Sequence, residues 1–157
     1  MIVLAPTGIA AINAGGVTIH SFFQVPFAPY VPESSFSADG KATYRFRYGK
    51  EKINIIRSID LLVIDEISMV RADLLDSVDA VLRRFRDRNK PFGGVQLLMI
   101  GDLQQLSPVV KDDEWQMLRK YYDTPYFFSS QALKQTEYCT IELKKVYRQN
   151  DGTFLEL

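Results

Sequence analysis

Of the 157 residues one is cysteine and one is histidine. Cys139 has no partner for an internal disulfide, and neither a cysteine-rich zinc site nor a histidine-rich metal site can be assembled. Net charge is also missing: 19 Lys and Arg balance 19 Asp and Glu. No global basic field draws in nucleic acid, so any such contact must come from a local patch. No apolar run approaches the ~20 residues of a membrane helix. The opening Met1-Ile2-Val3-Leu4-Ala5-Pro6 lacks the charged and apolar regions of a secretion signal and reads as already inside a strand. A lone thiol fits a reducing, intracellular setting. Neither an internal repeat nor a low-complexity tract is present. What remains is ordinary for a globular chain, 46% hydrophobic and 24% charged, long enough for one domain with a single core.

The organising stretch is Leu61-Leu62-Val63-Ile64-Asp65-Glu66. Four apolar residues run straight into two carboxylates. Such a run reads as a strand buried on both faces, the mark of a parallel sheet. Ligands of such sheets collect at the carboxyl ends of the strands, where Asp65 and Glu66 sit. The pattern matches the Walker B element of nucleotide hydrolases. There the Asp holds Mg²⁺ and the following Glu polarises the attacking water. Hard oxygen donors suit Mg²⁺, which takes only one or two protein carboxylates. The plainer reading is a core strand ending in a polar turn.

The rest of the chain alternates strands and helices. Ile2 to Ala5 predicts a strand, Ile9 to Ala14 a short helix stopped by Gly15-Gly16, and Thr18 the cap of a turn carrying Ile19 to Phe23. A loop with Pro26, Pro29 and Pro32 leads into a polar surface stretch. Thr43 to Tyr48 alternates with period two; the run Tyr44 to Lys52 reads as a half-buried strand more readily than as a hairpin facing DNA. Lys50 to Ile59 predicts a helix. Leu74, Leu75, Val78, Val81, Leu82 and Phe85 form one helix face, with acids early and arginines late, as the helix dipole favours. Val95 to Ile100 predicts a second buried strand ending in Gly101-Asp102. A helix over Asp113 to Tyr122, a short strand at Tyr126 to Phe128, a helix capped by Ser129 or Ser130 and a last strand over Tyr138 to Leu143 complete the pattern. Asp151 reads as the cap of a final helix cut off at Leu157. The expected fold is a three-layer α/β domain with a mostly parallel sheet.

Three further segments accompany Asp65-Glu66. In Gly101-Asp102-Leu103-Gln104-Gln105, the Gln105 amide can donate to a phosphate oxygen and accept from a water at once. In Val146-Tyr147-Arg148-Gln149, the Arg148 guanidinium fits phosphate oxygens and stabilises charge on a transferred phosphoryl; alone it reads more readily as a surface arginine. In Ala5-Pro6-Thr7-Gly8 and Thr18-Ile19-His20-Ser21-Phe22-Phe23, small residues admit close backbone approach and helix starts can take a phosphate. His20 and Phe22 or Phe23 could face unpaired bases, or the two phenylalanines are core residues.

Ala5-Pro6-Thr7-Gly8-Ile9-Ala10-Ala11, Gly15-Gly16-Val17-Thr18-Ile19-His20-Ser21-Phe22-Phe23, Leu62-Val63-Ile64-Asp65-Glu66-Ile67-Ser68-Met69-Val70, Gly101 to Val109 and Val146-Tyr147-Arg148-Gln149 stand in one order. From Val3 to Gln149 the chain resembles the PIF (petite integration frequency) helicases of the RecD-like branch of superfamily 1B. The resemblance implies a RecA-like P-loop NTPase fold and an ATP-dependent DNA helicase moving 5′ to 3′ on single strands. Its setting would be DNA repair, recombination, replication and telomere maintenance. It assigns Mg²⁺ to Asp65 and, through water, to Glu66. ATP hydrolysis falls to Glu66, Gln105 and Arg148, nucleotide binding to Asp65, Gln105 and Arg148, and single-stranded DNA to Pro6, Thr7, Gly8, His20, Ser21 and Phe22. The location would be cytoplasmic in a bacterium, nuclear or mitochondrial in a eukaryote, with no membrane partner.

The phosphate-cradling Gly-x-x-x-x-Gly-Lys-[Ser/Thr] loop is absent from these 157 residues. Residues 1–157 are expected to be the interior of a first motor domain, with that loop and its strand upstream and a second RecA-like domain downstream. By itself the chain is expected to be inactive as an ATPase. The missing strand would leave inner sheet edges unpaired, so that strands on its two sides shift together or a second copy covers the gap. Two other readings stay open: a truncated, non-catalytic single-stranded DNA-binding module, and a Mg²⁺ nuclease using Asp65, Glu66 and Asp102.

Overall fold

The computed structural model describes residues 1–31 and 48–144. Four short strands, β1 (Ile2–Ala5), β2 (Val17–Thr18), β3 (Leu61–Ile64) and β4 (Gln96–Met99), form one sheet in the order β2-β1-β3-β4. Every pairing is parallel, with Leu4 opposite both Val17 and Ile64, and Ile64 opposite Met99. The helices are α1 (Gly8–Asn13), α2 (Ile19–Phe23), α3 (Lys50–Arg57), α4 (Ala72–Phe85), α5 (Asp112–Leu118) and α6 (Gln131–Lys134). The crossover from β1 to β2 runs across the sheet in one direction and that from β3 to β4 in the other. Right-handed connections therefore put α1 on one face and α4 on the opposite face. The α/β class with a parallel sheet is as the sequence predicts.

The main core lies on the α4 face. Leu4, Leu62 and Ile64 of the sheet meet Leu75, Val78, Val81 and Leu82 of α4, with Ile19, Phe23 and Ile56 closing the sides. The helix stripe over 74–85 is thus buried much as its spacing requires. Two arginines lock α3 to α4 by capping each other's helices. Arg57 Nε donates to the Phe85 carbonyl at the end of α4 at 3.3 Å. Arg86 Nη1 donates to the Ile56 and Arg57 carbonyls at the end of α3. Orphan carbonyls and the negative end of each helix dipole are satisfied together. Under α6, the buried Asp76 carboxylate accepts from Tyr122 Oη at 2.8 Å, Ser130 Oγ at 2.5 Å and the Gln131 and Ala132 amides at 3.0 Å. It anchors the start of α6, whose cap is Ser130.

Several expectations are corrected. The run Val95 to Ile100 is not buried on both faces: Leu97 and Met99 pack on the core, but Leu98 and Ile100 are each 48% exposed. β4 lies at the edge of the described sheet, so the apolar run there signals a face this part of the molecule leaves open. Tyr126 to Phe128 forms no strand. A single antiparallel bridge joins Tyr126 to Arg71, and Phe127–Ser129 is one 3₁₀ turn. Tyr138 to Leu143 forms no strand either; Ile141 and Leu143 are exposed. A strand exists only with a hydrogen-bonded neighbour, and this stretch does not move across to pair with β4. The alternation over Thr43 to Arg47, the arginine motif around Arg148 and the cap at Asp151 lie outside the described residues.

Candidate functional site

Parallel strands share one direction, so their carboxyl ends lie side by side. From β1 emerges Pro6-Thr7-Gly8, from β2 Ile19-His20-Ser21, from β3 Asp65-Glu66 and from β4 Gly101-Asp102. The register makes this tight: the Asp65 amide donates to Leu4 O at 2.8 Å and the Ile100 amide to Ile64 O at 2.9 Å. The Ile67 amide returns to Ile100 O at 2.9 Å. The segments singled out from the sequence, Arg148 apart, are therefore gathered at one edge of the sheet.

At the β3 end, Asp65 and Glu66 are half-buried. Asp65 Oδ1 accepts the Glu66 amide at 3.0 Å, which fixes the aspartate rotamer. Glu66 itself stands in the left-handed region, at φ 52°, ψ 44°. A non-glycine residue there is strained by roughly 1–2 kcal/mol, and such strain concentrates at functional positions. Next to it, Gly101 passes so close to the Ile67-Ser68 backbone that a Cβ would lie 2.9 Å from Ile67 Cγ2 and 3.0 Å from its amide nitrogen. The two strand ends can meet at this distance because residue 101 has no side chain.

At the β4 end, Asp102 holds both glutamines. Its Oδ1 accepts the Gln104 amide at 2.9 Å and its Oδ2 accepts Gln105 Nε2 at 3.1 Å. These bonds, the Gln104 amide first, keep the Asp102 carboxyl below the usual carboxylate range. Asp65, Glu66 and Asp102 do not come together as a three-carboxylate metal group; no such cluster occurs among the described residues. That disfavours the nuclease arrangement. It leaves a single carboxylate, Asp65, with one oxygen engaged by its neighbour's amide, a donor set that suits an ion keeping most of its shell for water and phosphate.

The β1 and β2 ends build a second region. Thr7 caps α1 by accepting the Ala10 amide at 3.3 Å, and Thr18 caps α2 by accepting the Ser21 amide at 3.2 Å. Thr7, Gly8 and Ser21 are exposed, Pro6 and His20 half-buried. A Cβ on Gly8 would meet nothing within 4 Å, so the protein's own packing does not demand glycine there and the space is open to a ligand. Phe22, in contrast, is 7% exposed, lies edge-on to Phe23 and carries the Lys52 ammonium 3.6 Å from its ring centroid. Both Phe22 and Phe23 are core residues, which removes them as stacking faces.

Sequence reasoning passed over the wall opposite. A cavity of about 270 Å³ opens between Thr7, His20, Phe27, Met69 and Arg71. Arg71 is held on both sides, by Asp73 (Nε to Oδ1 2.8 Å, Nη2 to Oδ2 2.7 Å) and by Glu114 of α5 (Nη1 to Oε2 2.8 Å). His20 stacks on Phe27 with centroids 4.4 Å apart and planes 19° from parallel. Burial, with Arg71 nearby, lowers the His20 pKa against an opposing pull from Asp73, so the ring is neutral at neutral pH. An aromatic set between Pro26 and Pro29, in no periodic apolar pattern, was the available signal for Phe27. Nothing local marks Arg71, whose partners are 2 and 43 residues away.

The family model for PIF1-like helicase matches residues 1–155. The chain is 38% identical to the ATP-dependent DNA helicase PIF1 of Saccharomyces cerevisiae over 157 residues, covering 99% of this chain and 16% of that protein. It is 41% identical to the human ATP-dependent DNA helicase PIF1, covering 98% and 21%. Among solved structures it resembles the Bacteroides Pif1 helicase in complex with ADP-AlF₃ and single-stranded DNA. The TM-score there is 0.90 and the identity 44%, over 99% of this chain and 34% of that one. The Candida albicans Pif1 helicase matches with a TM-score of 0.72 and 33% identity, over 99% and 32%. The chain thus spans about a fifth of the curated proteins it matches. The family model covers nearly the whole chain and the parallel sheet matches the fold of the solved Pif1 helicases, and the chain belongs to the PIF1-like helicases.

Proposed function

We propose that this chain forms the interior of the first RecA-like motor domain of an ATP-dependent DNA helicase that acts in genome maintenance and moves 5′ to 3′ on a single strand. The observation that carries the reading is the gathering of Pro6-Thr7-Gly8, His20-Ser21, Asp65-Glu66 and Asp102-Gln105 at one end of four parallel strands. The relatives, which are ATP-dependent DNA helicases, and the Bacteroides complex with ADP-AlF₃ and single-stranded DNA support it. The phosphate-cradling loop and the second RecA-like domain are supplied from outside these 157 residues. Alone, the chain binds triphosphate weakly and does not turn it over.

In the assembled motor Asp65 would hold Mg²⁺, which would supply positive charge to neutralise the nucleotide phosphates. Glu66 accepts the proton of the attacking water, and its fixed backbone aims the carboxylate. Gln105 leaves Asp102 to donate to the terminal phosphate, so that its partner reports whether that phosphate is present. Arg148 neutralises charge as it develops on the transferred group. Pro6, Thr7, Gly8, His20 and Ser21 line the track of the single strand.

Single-turnover ATPase measurement with DNA on the full-length helicase tests the assignment. Glu66→Gln is expected to slow hydrolysis by about 10²–10⁴-fold, the usual contribution of a general base; a rate within about threefold of wild type would sink it. Fluorescence anisotropy of the 157-residue chain with a single-stranded oligonucleotide separates the motor fragment from a self-sufficient binding module. Tight, salt-sensitive binding without the second domain favours the module.

A further inference from the structure

We infer that Phe27 is a stacking platform for an unpaired nucleobase of single-stranded DNA, a position that rests on the reading of the neighbouring segments as the strand's track. The ring is 83% exposed. One of its faces lies on His20, which leaves the other open to solvent. A ring fixed by stacking on its inner face presents its outer face in the orientation a planar group needs. Phe22 and Phe23, the aromatics the β2-α2 segment would otherwise offer, are committed to the core. Phe27 is held out between Pro26 and Pro29, whose fixed φ limits the freedom the loop would lose on binding.

The chemistry of the ring selects the base. Beside it, the cavity of about 270 Å³ reaches back to Thr7 and Arg71. The Arg71 guanidinium is already engaged by two carboxylates, Asp73 and Glu114. What Phe27 itself offers a ligand is an apolar face, which suits an uncharged planar group. The Tyr30 amide donates to Asp73 Oδ2 at 2.9 Å and ties this loop to the start of α4. The Phe27 loop is thus tied through His20 to α2 and through Asp73 to the segment that follows Asp65-Glu66.

The test measures binding of a fluorescein-labelled oligo(dT) to the full-length helicase by anisotropy. Phe27→Ala and Phe27→Leu are expected to weaken binding by about tenfold or more, the scale of one base–aromatic stack. Phe27→Trp is expected to bind as wild type, since an indole offers the base the same stacking face. Circular dichroism melts confirm that these exposed-site variants fold. If Phe27→Ala and Phe27→Leu bind within twofold of wild type while His20→Ala weakens binding, Phe27 is not the platform and the track reading stands. If neither His20→Ala nor any Phe27 variant changes the affinity, both fall.

Discussion

Single residues hold this site more firmly than its motifs suggest. Asp76 meets four donors from Tyr122, Ser130, Gln131 and Ala132 while only 6% exposed. Among the described residues no cation shares that group of partners, and the donors to the carboxylate are neutral. Asp76→Ala would strand buried donors, each costing about 1–3 kcal/mol. A loss on the order of 3 kcal/mol or more is expected, read as a lower urea midpoint. His20 supplies a pH dependence. Its folded pKa lies below the ordinary value of about 6.5, so the unfolded chain takes up the proton first. The stability it contributes is fully present above about pH 6.5 and is lost as pH falls below that value. His20→Gln is expected to flatten this part of the pH profile of stability, measured by denaturation at several pH values; an unchanged profile would count against the burial of the imidazole.

At the scale of elements, the turn between α1 and β2 separates two glycines that look alike in the sequence. Gly15 stands at φ +67° with open space around its missing side chain, whereas a Cβ on Gly16 would sit 2.2 Å from the Val3 carbonyl oxygen in β1. Gly15→Ala is expected to cost about 1 kcal/mol, the price of the left-handed region. Gly16→Ala must displace strand backbone and should cost more, since overpacking alone runs to about 1–3 kcal/mol. Thermal melts of the two variants check the order. The sequence reads the pair as one stop signal. Only the close pass of the turn against β1 makes Gly16 a condition for placing Thr7 and His20 side by side. Gly101 has the same role between β3 and β4, where it meets Ile67. The helices were more legible: α4, whose period is sustained over four turns, lies where its spacing puts it, while the apolar stretch Tyr138 to Leu143 needed a neighbour and is not a strand.

The whole molecule carries an open side. Leu98 on β4, Ile100 just beyond it, and Ile9 and Ile12 on α1 are exposed, and among the described residues the outer edge of β4 pairs with no strand. An unpaired edge flanked by apolar side chains invites another strand. We expect the isolated chain to associate with itself as concentration rises, and Leu98→Lys to reduce that association, since an edge lysine opposes pairing. Size-exclusion chromatography across a concentration series reads both; a monomer at every concentration would remove the prediction.

The sequence by itself determined the class and the order of the site. Buried parallel strands need apolar runs, a ligand at their carboxyl ends needs polar residues next, and both patterns are local, so Asp65-Glu66 and Gly101-Asp102 announce themselves. Tertiary structure decided which side chains are free to act. Phe22 and Phe27 are equally apolar on paper, yet one packs beneath Lys52 and the other stands on His20 facing solvent. Arg71 reads as an ordinary arginine until folding brings Glu114 to it from 43 residues away. Burial and pairing depend on neighbours distant in the chain, and a local pattern cannot name them.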